Sequence, residues 1–183
     1  MRIAFYGGSF NPPHYSHYLA ASWALCTGEV DQVWMIPTFT HAFGKFLAPF
    51  EHRVAMCRIG AELLSPKILV STLESELPSP SYTIDTLRVL QHRHPSFSFR
   101  LLIGADILQE THAWKDFSLL QEIAPPLVIG RIGITAPSLP FSLPPFSSSF
   151  IREGIAKGTD ISGHLPPPVF SYLREHRLYP SSS

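Results

Sequence analysis

The chain has 183 residues, 45% of them hydrophobic, and its fourteen basic and fourteen acidic side chains cancel to a formal net charge of zero. That length supports one ordinary domain with its own core, while the balanced charge lacks the basic face that bulk nucleic-acid binding requires. No stretch of about 18 apolar residues could cross a membrane as a helix, and glycines interrupt the N-terminal apolar run too early for a signal peptide.

These features lead us to expect a cytoplasmic protein without membrane or nucleic-acid partners. A small anionic substrate stays open, because it needs only a few local cations. Cys26 and Cys57 stand far apart with no CxxC spacing, which argues against a zinc site or a redox pair. Each falls in a helical pattern among apolar residues and reads as a small buried hydrophobe.

Arg2 to Tyr6 is a short apolar strand ending at Gly7-Gly8. A helical pattern begins near His14, with Leu19, Ser22, Trp23 and Cys26 at i, i+3, i+4 and i+7 and Gly28 as its C-cap. Gln32 to Ile36 is a second strand stopped by Pro37, and a loop spans Thr38 to Phe50. Glu51 to Leu64 is helical, with Val54, Cys57, Ala61 and Leu64 on one stripe. Ile68 to Val70 is a third strand.

Beyond a polar loop, a helix is expected from Tyr82 to His92 and a fourth strand from Phe97 to Ile103, ended by Gly104. A helical turn follows Asp106, a helix covers Asp116 to Ile123, and Leu127 to Ile129 is a fifth strand. The Pro- and Ser-rich stretch from Ala136 to Ser149 reads as loop with room for one short strand. Helices over Ser149–Lys157 and Val169–His176 close the chain.

Continuous apolar strands alternating with helices imply a parallel sheet covered on both faces and joined by right-handed crossovers. The expectation is a single α/β domain over 1–183, a Rossmann-like doubly wound sheet whose C-terminal helical part covers 149–179. Ligands of such sheets bind beyond the carboxyl ends of the strands, at the switch point of the strand order. The residues with chemistry should therefore follow strands one, two, four and five, and they do.

The first such segment is Gly7-Gly8-Ser9-Phe10-Asn11-Pro12-Pro13-His14-Tyr15-Ser16-His17. Paired glycines after a strand let the backbone approach a ligand closely. His14 and His17, spaced i, i+3 at a helix start, share one face, where free amides and the helix dipole attract phosphate. Two imidazoles there can donate to non-bridging phosphate oxygens and stabilise charge that grows in a transition state.

After strand two come Gly44-Lys45 and Phe50-Glu51-His52-Arg53. Lys45 can reach a phosphate as a point charge, and Arg53 either does so or pairs with an acidic group. His41 and His52 read as solvated. Ser81-Tyr82-Thr83 is a helix start with Ser81 as candidate N-cap, and its free amides could receive a carboxylate. After strand four and Gly104, Asp106 is placed to accept hydrogen bonds from ribose hydroxyls, and Trp114, followed by Lys115, offers a face for an aromatic ring. Ser147-Ser148-Ser149-Phe150-Ile151-Arg152 puts hydroxyls at a helix start, with Arg152 on the face of Ser149. Arg131 follows strand five.

GGSFNPPHYSH resembles the nucleotidylyltransferase signature GG[ST]FDPxHxGH, with Asn11 for the usual Asp and Ser16 for the usual Gly. The resemblance implies ATP contacts at Gly7, Gly8, Ser9, Phe10, His14 and His17. Pro37…Lys45…Phe50…Arg53 is similar to the P…K…F…R segment of that superfamily. Ser81-Tyr82-Thr83-Ile84-Asp85-Thr86-Leu87 resembles SYTxxTL of the pyridine-mononucleotide adenylyltransferases, in which the backbone at the Thr contacts the pyridine carboxylate.

Gly104-Ala105-Asp106 followed by Trp114-Lys115 resembles GxDxL…W, which implies stacking of the Trp on the pyridine and a carboxylate contact from the amide of Lys115. The segment ending in Arg152 resembles ISxTxIR, with Ser149 for the usual Thr, which implies that Ser148, Ser149, Ile151 and Arg152 grip the ATP phosphates. Lys45 and Arg131 would line the same site.

The implied enzyme is a nicotinate-nucleotide adenylyltransferase. ATP would be its substrate, with Mg²⁺ bridging the phosphates and no protein metal cage, and His14, His17 and Arg152 would act in catalysis. A homo-oligomer is compatible with this reading. The alternatives are an adenylyltransferase for nicotinamide mononucleotide or pantetheine phosphate, or a catalytically impaired nucleotide-binding relative, for which Asn11, Ser16 and Ser149 are the only support.

Overall fold

The computed structural model describes residues 1–40, 44, 46–109, 113–132 and 142–180, without the side chains of 109 and 131. Six strands form one sheet: β1 (Arg2–Gly8), β2 (Gln32–Pro37), β3 (Ile68–Val70), β4 (Ser98–Gly104), β5 (Pro126–Arg131) and β6 (Ser142–Leu143). All pairings are parallel, and the order is β3-β2-β1-β4-β5-β6. The chain runs outward from β1 to β3, then crosses back to β4 beside β1. The switch point therefore lies between the ends of β1 and β4, at Gly7-Gly8 and Gly104. The short strand within the Pro/Ser-rich stretch is β6, and residues 136–141 of that stretch lie outside the described residues.

Alternation along the strands sends side chains to two cores. Ile3, Phe5, Ile36, Leu101 and Ile103 face α3 (Thr83–Arg93) and α4 (Phe117–Ile123). Ala4, Val33, Met35, Leu102, Leu127 and Ile129 face α1 (Tyr15–Cys26), α2 (Phe50–Glu62), α5 (Ser148–Lys157) and α6 (Pro167–Glu175). Burying each such side chain stabilises the fold by about 1.5–3 kcal/mol before the entropy of ordering is counted.

The α1 stripe differs from the expectation. Tyr18, Ala20, Ala21 and Ala24 are buried, whereas Leu19 is 41% exposed and Cys26 is also exposed. Small residues win this face because the helix lies close to its neighbours. A Cβ on Gly60 of α2 would stand 2.1 Å from the Tyr18 ring, whose hydroxyl donates to the Met56 carbonyl at 2.9 Å.

On α2 the expected stripe holds for Val54, Cys57 and Ala61, but the helix ends at Glu62 and leaves Leu64 exposed. Cys57 is fully buried and burial pushes its thiol pKa up, so the inert-thiol reading applies to it and not to Cys26. Thr27 is the C-cap of α1, and Gly28 follows at φ +70°, the left-handed position that favours glycine after a helix.

Candidate active site

A cavity of about 400 Å³ opens at the switch point, a size typical of small-molecule sites. Its walls come from the end of β1 with the start of α1, from Gly104 and Asp106 after β4, from Ser81 to Thr83 at the start of α3, and from Trp114 and Lys115. Four sequence-distant motifs thus converge on one space.

On the β1 side, Gly7, Gly8, Ser9, His14, Ser16 and His17 line the cavity. The Phe10 backbone adopts φ 45°, a conformation a non-glycine residue holds only when its surroundings enforce it. The enforcement is visible: the Phe10 ring is buried edge-on against Tyr6 and His17, at centroid distances of 5.4 and 5.0 Å. Phe10 can therefore offer a ligand only its backbone.

His14 is the N-cap of α1. Its ring centroid is 3.8 Å from that of His17, and its backbone N–H donates to His17 Nδ1 at 3.1 Å. An accepting Nδ1 carries no proton, so the neutral His17 ring bears its hydrogen on Nε2 and is a donor there.

Arg152 reaches back across the fold. Its Nη1 donates to the Asn11 carbonyl at 2.6 Å and its Nη2 to Ser149 Oγ at 3.2 Å. The guanidinium from α5 therefore seats on the same loop that delivers the two imidazoles. Ser148 Oγ donates to the Pro12 carbonyl at 2.8 Å. The N-cap of α5 is Ser147, which accepts from Phe150 N–H at 3.1 Å; Ser149, expected at the helix start, lies one residue inside it. Ile151 is fully buried, and its own N–H is bonded to the Ser147 carbonyl. Ser148 and Arg152, with Ser149 bonded to Arg152, fasten to the Asn11-Pro12 turn, whereas Ile151 packs in the core.

The residues that depart from the signature are all accommodated. Asn11 Nδ2 donates to the Phe46 carbonyl at 2.8 Å, and its Oδ1 accepts from Ala48 N–H at 3.0 Å and Tyr179 Oη at 2.9 Å. Burial pushes the Tyr179 pKa up, which keeps that phenol a neutral donor. Ser16 Oγ donates to the Pro144 carbonyl at 2.9 Å, tying α1 to the segment after β6.

Arg53 corrects the sequence reading. It is 1% exposed and forms no ion pair with an acid among the described residues: Nε donates to the Ala48 carbonyl at 2.8 Å, Nη1 to the Ser9 carbonyl at 2.9 Å and Nη2 to the Phe39 carbonyl at 3.4 Å. Burial lowers its pKa, yet an arginine stays protonated, and charge-assisted bonds to carbonyls hold the β1 loop to the β2 loop. His52, read as solvated, is half-buried and bonded to Tyr172 Oη at 2.9 Å. Lys45 and His41 lie outside the described residues, as does the side chain of Arg131, whose backbone ends β5.

On the other side, a Cβ at Gly104 would meet Asp106 Oδ1 at 2.3 Å. The glycine is what lets that carboxylate fold back over the strand end. Tyr82, not Ser81, is the N-cap of α3, and no side chain caps the first turn. Ser81 instead donates to Glu74 Oε2 at 2.5 Å. Trp114 stands edge-on to Phe117 at 6.0 Å, and Lys115 Nζ lies 2.9 Å from Asp85 Oδ2 and 4.9 Å from the centre of the Tyr82 ring. Sequence reasoning missed Glu74 and Thr38, which both line the cavity. Neither stands in a periodic pattern or a recognisable motif, so no signal pointed to them.

The fold and this site define a nucleotidyltransferase, and the cytidylyltransferase-like family model matches residues 5–154. The chain is 45% identical to a protein of Anaeromyxobacter dehalogenans (strain 2CP-C) named "Probable nicotinate-nucleotide adenylyltransferase", over 97% of this chain and 96% of that one. It is 41% identical to a protein of the same name from Myxococcus xanthus (strain DK1622), over 98% and 95%. Among solved structures it resembles the Plasmodium falciparum nicotinic acid mononucleotide adenylyltransferase complexed with NaAD, with a TM-score of 0.83, 25% identity and 97% of each chain covered. The chain belongs to the cytidylyltransferase-like family, in its nicotinate-nucleotide adenylyltransferase branch. No helix among the described residues is long and apolar enough to cross a membrane.

Proposed function

We propose that this enzyme transfers AMP from ATP to nicotinic acid mononucleotide. A phosphate oxygen of the mononucleotide attacks the α-phosphorus of ATP, a new P–O bond forms, and the α–β bridging bond breaks to release pyrophosphate and the deamido dinucleotide. No protein nucleophile is required, because the two phosphates need only be held in line. The observation that carries this reading is the paired His14 and His17 rings at the β1 end, in one cavity with an uncapped helix start and a tryptophan.

His17 Nε2–H and the His14 ring donate to α-phosphate oxygens as charge builds in the transition state. Arg152 Nη groups, with Ser148 and Ser149, meet the outer phosphates at the Asn11-Pro12 turn, and Lys45, which lies outside the described residues, is a further candidate phosphate contact. The backbone of Gly7, Gly8, Ser9 and Phe10 borders the α-phosphate. Asp106, given room by Gly104, accepts from ribose hydroxyls. Ile151 contributes to this half only by fixing α5 in the core, and Arg131 sits at the β5 end beside the nucleotide.

The pyridine lies between the Trp114 ring and the start of α3. Its carboxylate takes the Thr83 and Lys115 amides, and Tyr82 forms the cavity mouth. Helix-start amides favour an anion, so the acid mononucleotide should outcompete the amide. Among the described residues no three His, Cys, Asp or Glu side chains gather as a metal cage. Mg²⁺ would be carried on the ATP phosphates, because that ion favours phosphate and water ligands, and would supply charge neutralisation there. A cytoplasmic location is part of this proposal, and use of ATP and a mononucleotide as substrates is compatible with it.

The test is pyrophosphate release from ATP and Mg²⁺ with each mononucleotide in parallel. The expected result is turnover on both or on the acid alone, with higher kcat/KM for the acid. No release with either would defeat the reading.

A further inference from the structure

Glu74 is a buried carboxylate on the cavity wall to which the chemistry above assigns nothing. It sits in the 3-10 turn Leu73–Glu76 after β3 and is 6% exposed. A buried charge persists only when hydrogen bonds replace its water, and here three do. Oε2 accepts from Ser81 Oγ at 2.5 Å and from Phe39 N–H at 3.3 Å, and Oε1 accepts from Thr86 Oγ1 at 2.9 Å. The donors come from two different elements: Phe39 from the loop after β2, Ser81 and Thr86 from either side of the first turn of α3.

We infer that Glu74 is a positioning residue for the pyridine mononucleotide, fixing the backbone of Ser81-Tyr82-Thr83 so that the amides of α3's first turn face the cavity. The inference rests on the proposed substrate. Ser81 and Thr86 bracket Tyr82 and Thr83, so bonding both hydroxyls to one carboxylate sets the direction of the residues between them. Phe39 N–H links that carboxylate to the β2 loop, which anchors it against the sheet. Two of the three bonds run to hydroxyls on either side of Tyr82 and Thr83, so its effect belongs to the mononucleotide half of the cavity.

The role is one of geometry and not of charge. In Glu74→Gln, the amide oxygen can take the Oε2 place and still accept from Ser81 and Phe39. The amide nitrogen then donates to Thr86 Oγ1, whose own hydrogen turns to the Tyr82 carbonyl, already within 3.2 Å.

The experiment is steady-state kinetics of Glu74→Ala, Glu74→Gln and Ser81→Ala with both substrates varied, alongside hydrogen exchange by mass spectrometry. Glu74→Ala should raise KM for nicotinic acid mononucleotide at least ten-fold with KM for ATP within two-fold, and should speed exchange in peptides covering 79–86 but not 5–17. Glu74→Gln should recover most of that loss, and Ser81→Ala should fall between.

An equal rise in both KM values, an unchanged mononucleotide KM, or a Gln variant as impaired as Ala would overturn the inference. If Glu74→Ala does not fold, the Ser81→Ala split in KM decides alone. Absence of turnover by the unsubstituted enzyme is a separate outcome that would fault the proposed reaction itself, and the exchange pattern would still report on Glu74.

Discussion

The two halves of the cleft are built by different means. On the side proposed for the phosphates, eleven consecutive residues from Gly7 to His17 supply the turn and both imidazoles, and distant segments fasten to that stretch through its backbone carbonyls: Arg53 on Ser9, Arg152 on Asn11, Ser148 on Pro12. On the pyridine side no single stretch suffices. The start of α3, the 3-10 turn bearing Glu74 and the segment of Trp114 and Lys115 are held to one another by side chains, through Glu74–Ser81, Glu74–Thr86 and Lys115–Asp85. Backbone-anchored geometry suits the step that must be in register for chemistry. Side-chain anchoring is easier to vary, and it falls on the half proposed to hold the pyridine mononucleotide. Substitutions should therefore separate: kcat on one side, mononucleotide KM on the other.

The largest expected effect is His17→Ala. Removing one preorganised donor to a developing phosphoryl charge should lower kcat by roughly 10²–10³-fold, with mononucleotide KM nearly unchanged. Pre-steady-state quench of dinucleotide formation checks this directly, and a KM-dominated loss would break the division between the two halves.

Asn11→Asp comes next and tests how strictly backbone anchoring is specified. Asn11 Nδ2 donates to the Phe46 carbonyl at 2.8 Å. A carboxylate oxygen in that place faces another acceptor, while Arg152, already on the Asn11 carbonyl, offsets part of the repulsion. We expect a net loss of about 1–2 kcal/mol of stability, a fall in Tm of roughly 2–8 °C for a chain of this size. A Tm equal to or above that of the unsubstituted protein in thermal denaturation would mean that the Asn11 amide is not a required donor.

The same contrast governs what could be read from residues alone. The position of the Gly7 to His17 stretch was legible because it is one contiguous motif after a strand, and the strand pattern placed it at the switch point, where the cavity opens. On the opposite wall only Ser81-Tyr82-Thr83 and Trp114-Lys115 stood out in the sequence, and these line the same cavity. Glu74 lies seven residues before Ser81 in a loop with no periodicity, and a carboxylate there looks solvated until the fold buries it. Misassigning Ser81 as a cap follows from the same gap, since its true partner could not be seen. On α1, the i, i+3, i+4, i+7 spacing favoured Leu19, Ser22, Trp23 and Cys26, whereas the buried face is formed by Tyr18, packed on Gly60, with Ala20, Ala21 and Ala24. Arg53 offered phosphate or acid as partners; its actual partners, three carbonyls, carry no mark in a sequence.

Trp114→Ala removes an aromatic face but leaves the side-chain network intact. Stacking beyond area burial is worth about 1 kcal/mol, so mononucleotide KM should rise roughly five-fold while KM for ATP and kcat stay within two-fold. Isothermal titration with each substrate separates the two, and equal losses for ATP and mononucleotide would place Trp114 outside the pyridine half.

The smallest effect, and the sharpest test of how side chains tune the pyridine half, is Lys115→Met. The Lys115–Asp85 pair is solvent-accessible on both partners, 44% and 38%, and exposed pairs contribute only about 0–1 kcal/mol, so the Tm should barely move. The ammonium also sits 4.9 Å from the Tyr82 ring centre at the cavity mouth, where its field reaches a carboxylate entering the site. Asp85 neutralises part of that field. The variant should therefore raise KM for nicotinic acid mononucleotide by roughly two- to three-fold at low ionic strength and leave the amide mononucleotide unaffected. The difference should vanish near 1 M salt, where the screening length falls to about 3 Å. A salt-insensitive loss would instead assign Lys115 a packing role over Tyr82, and an equal loss on acid and amide would remove its ammonium from substrate discrimination.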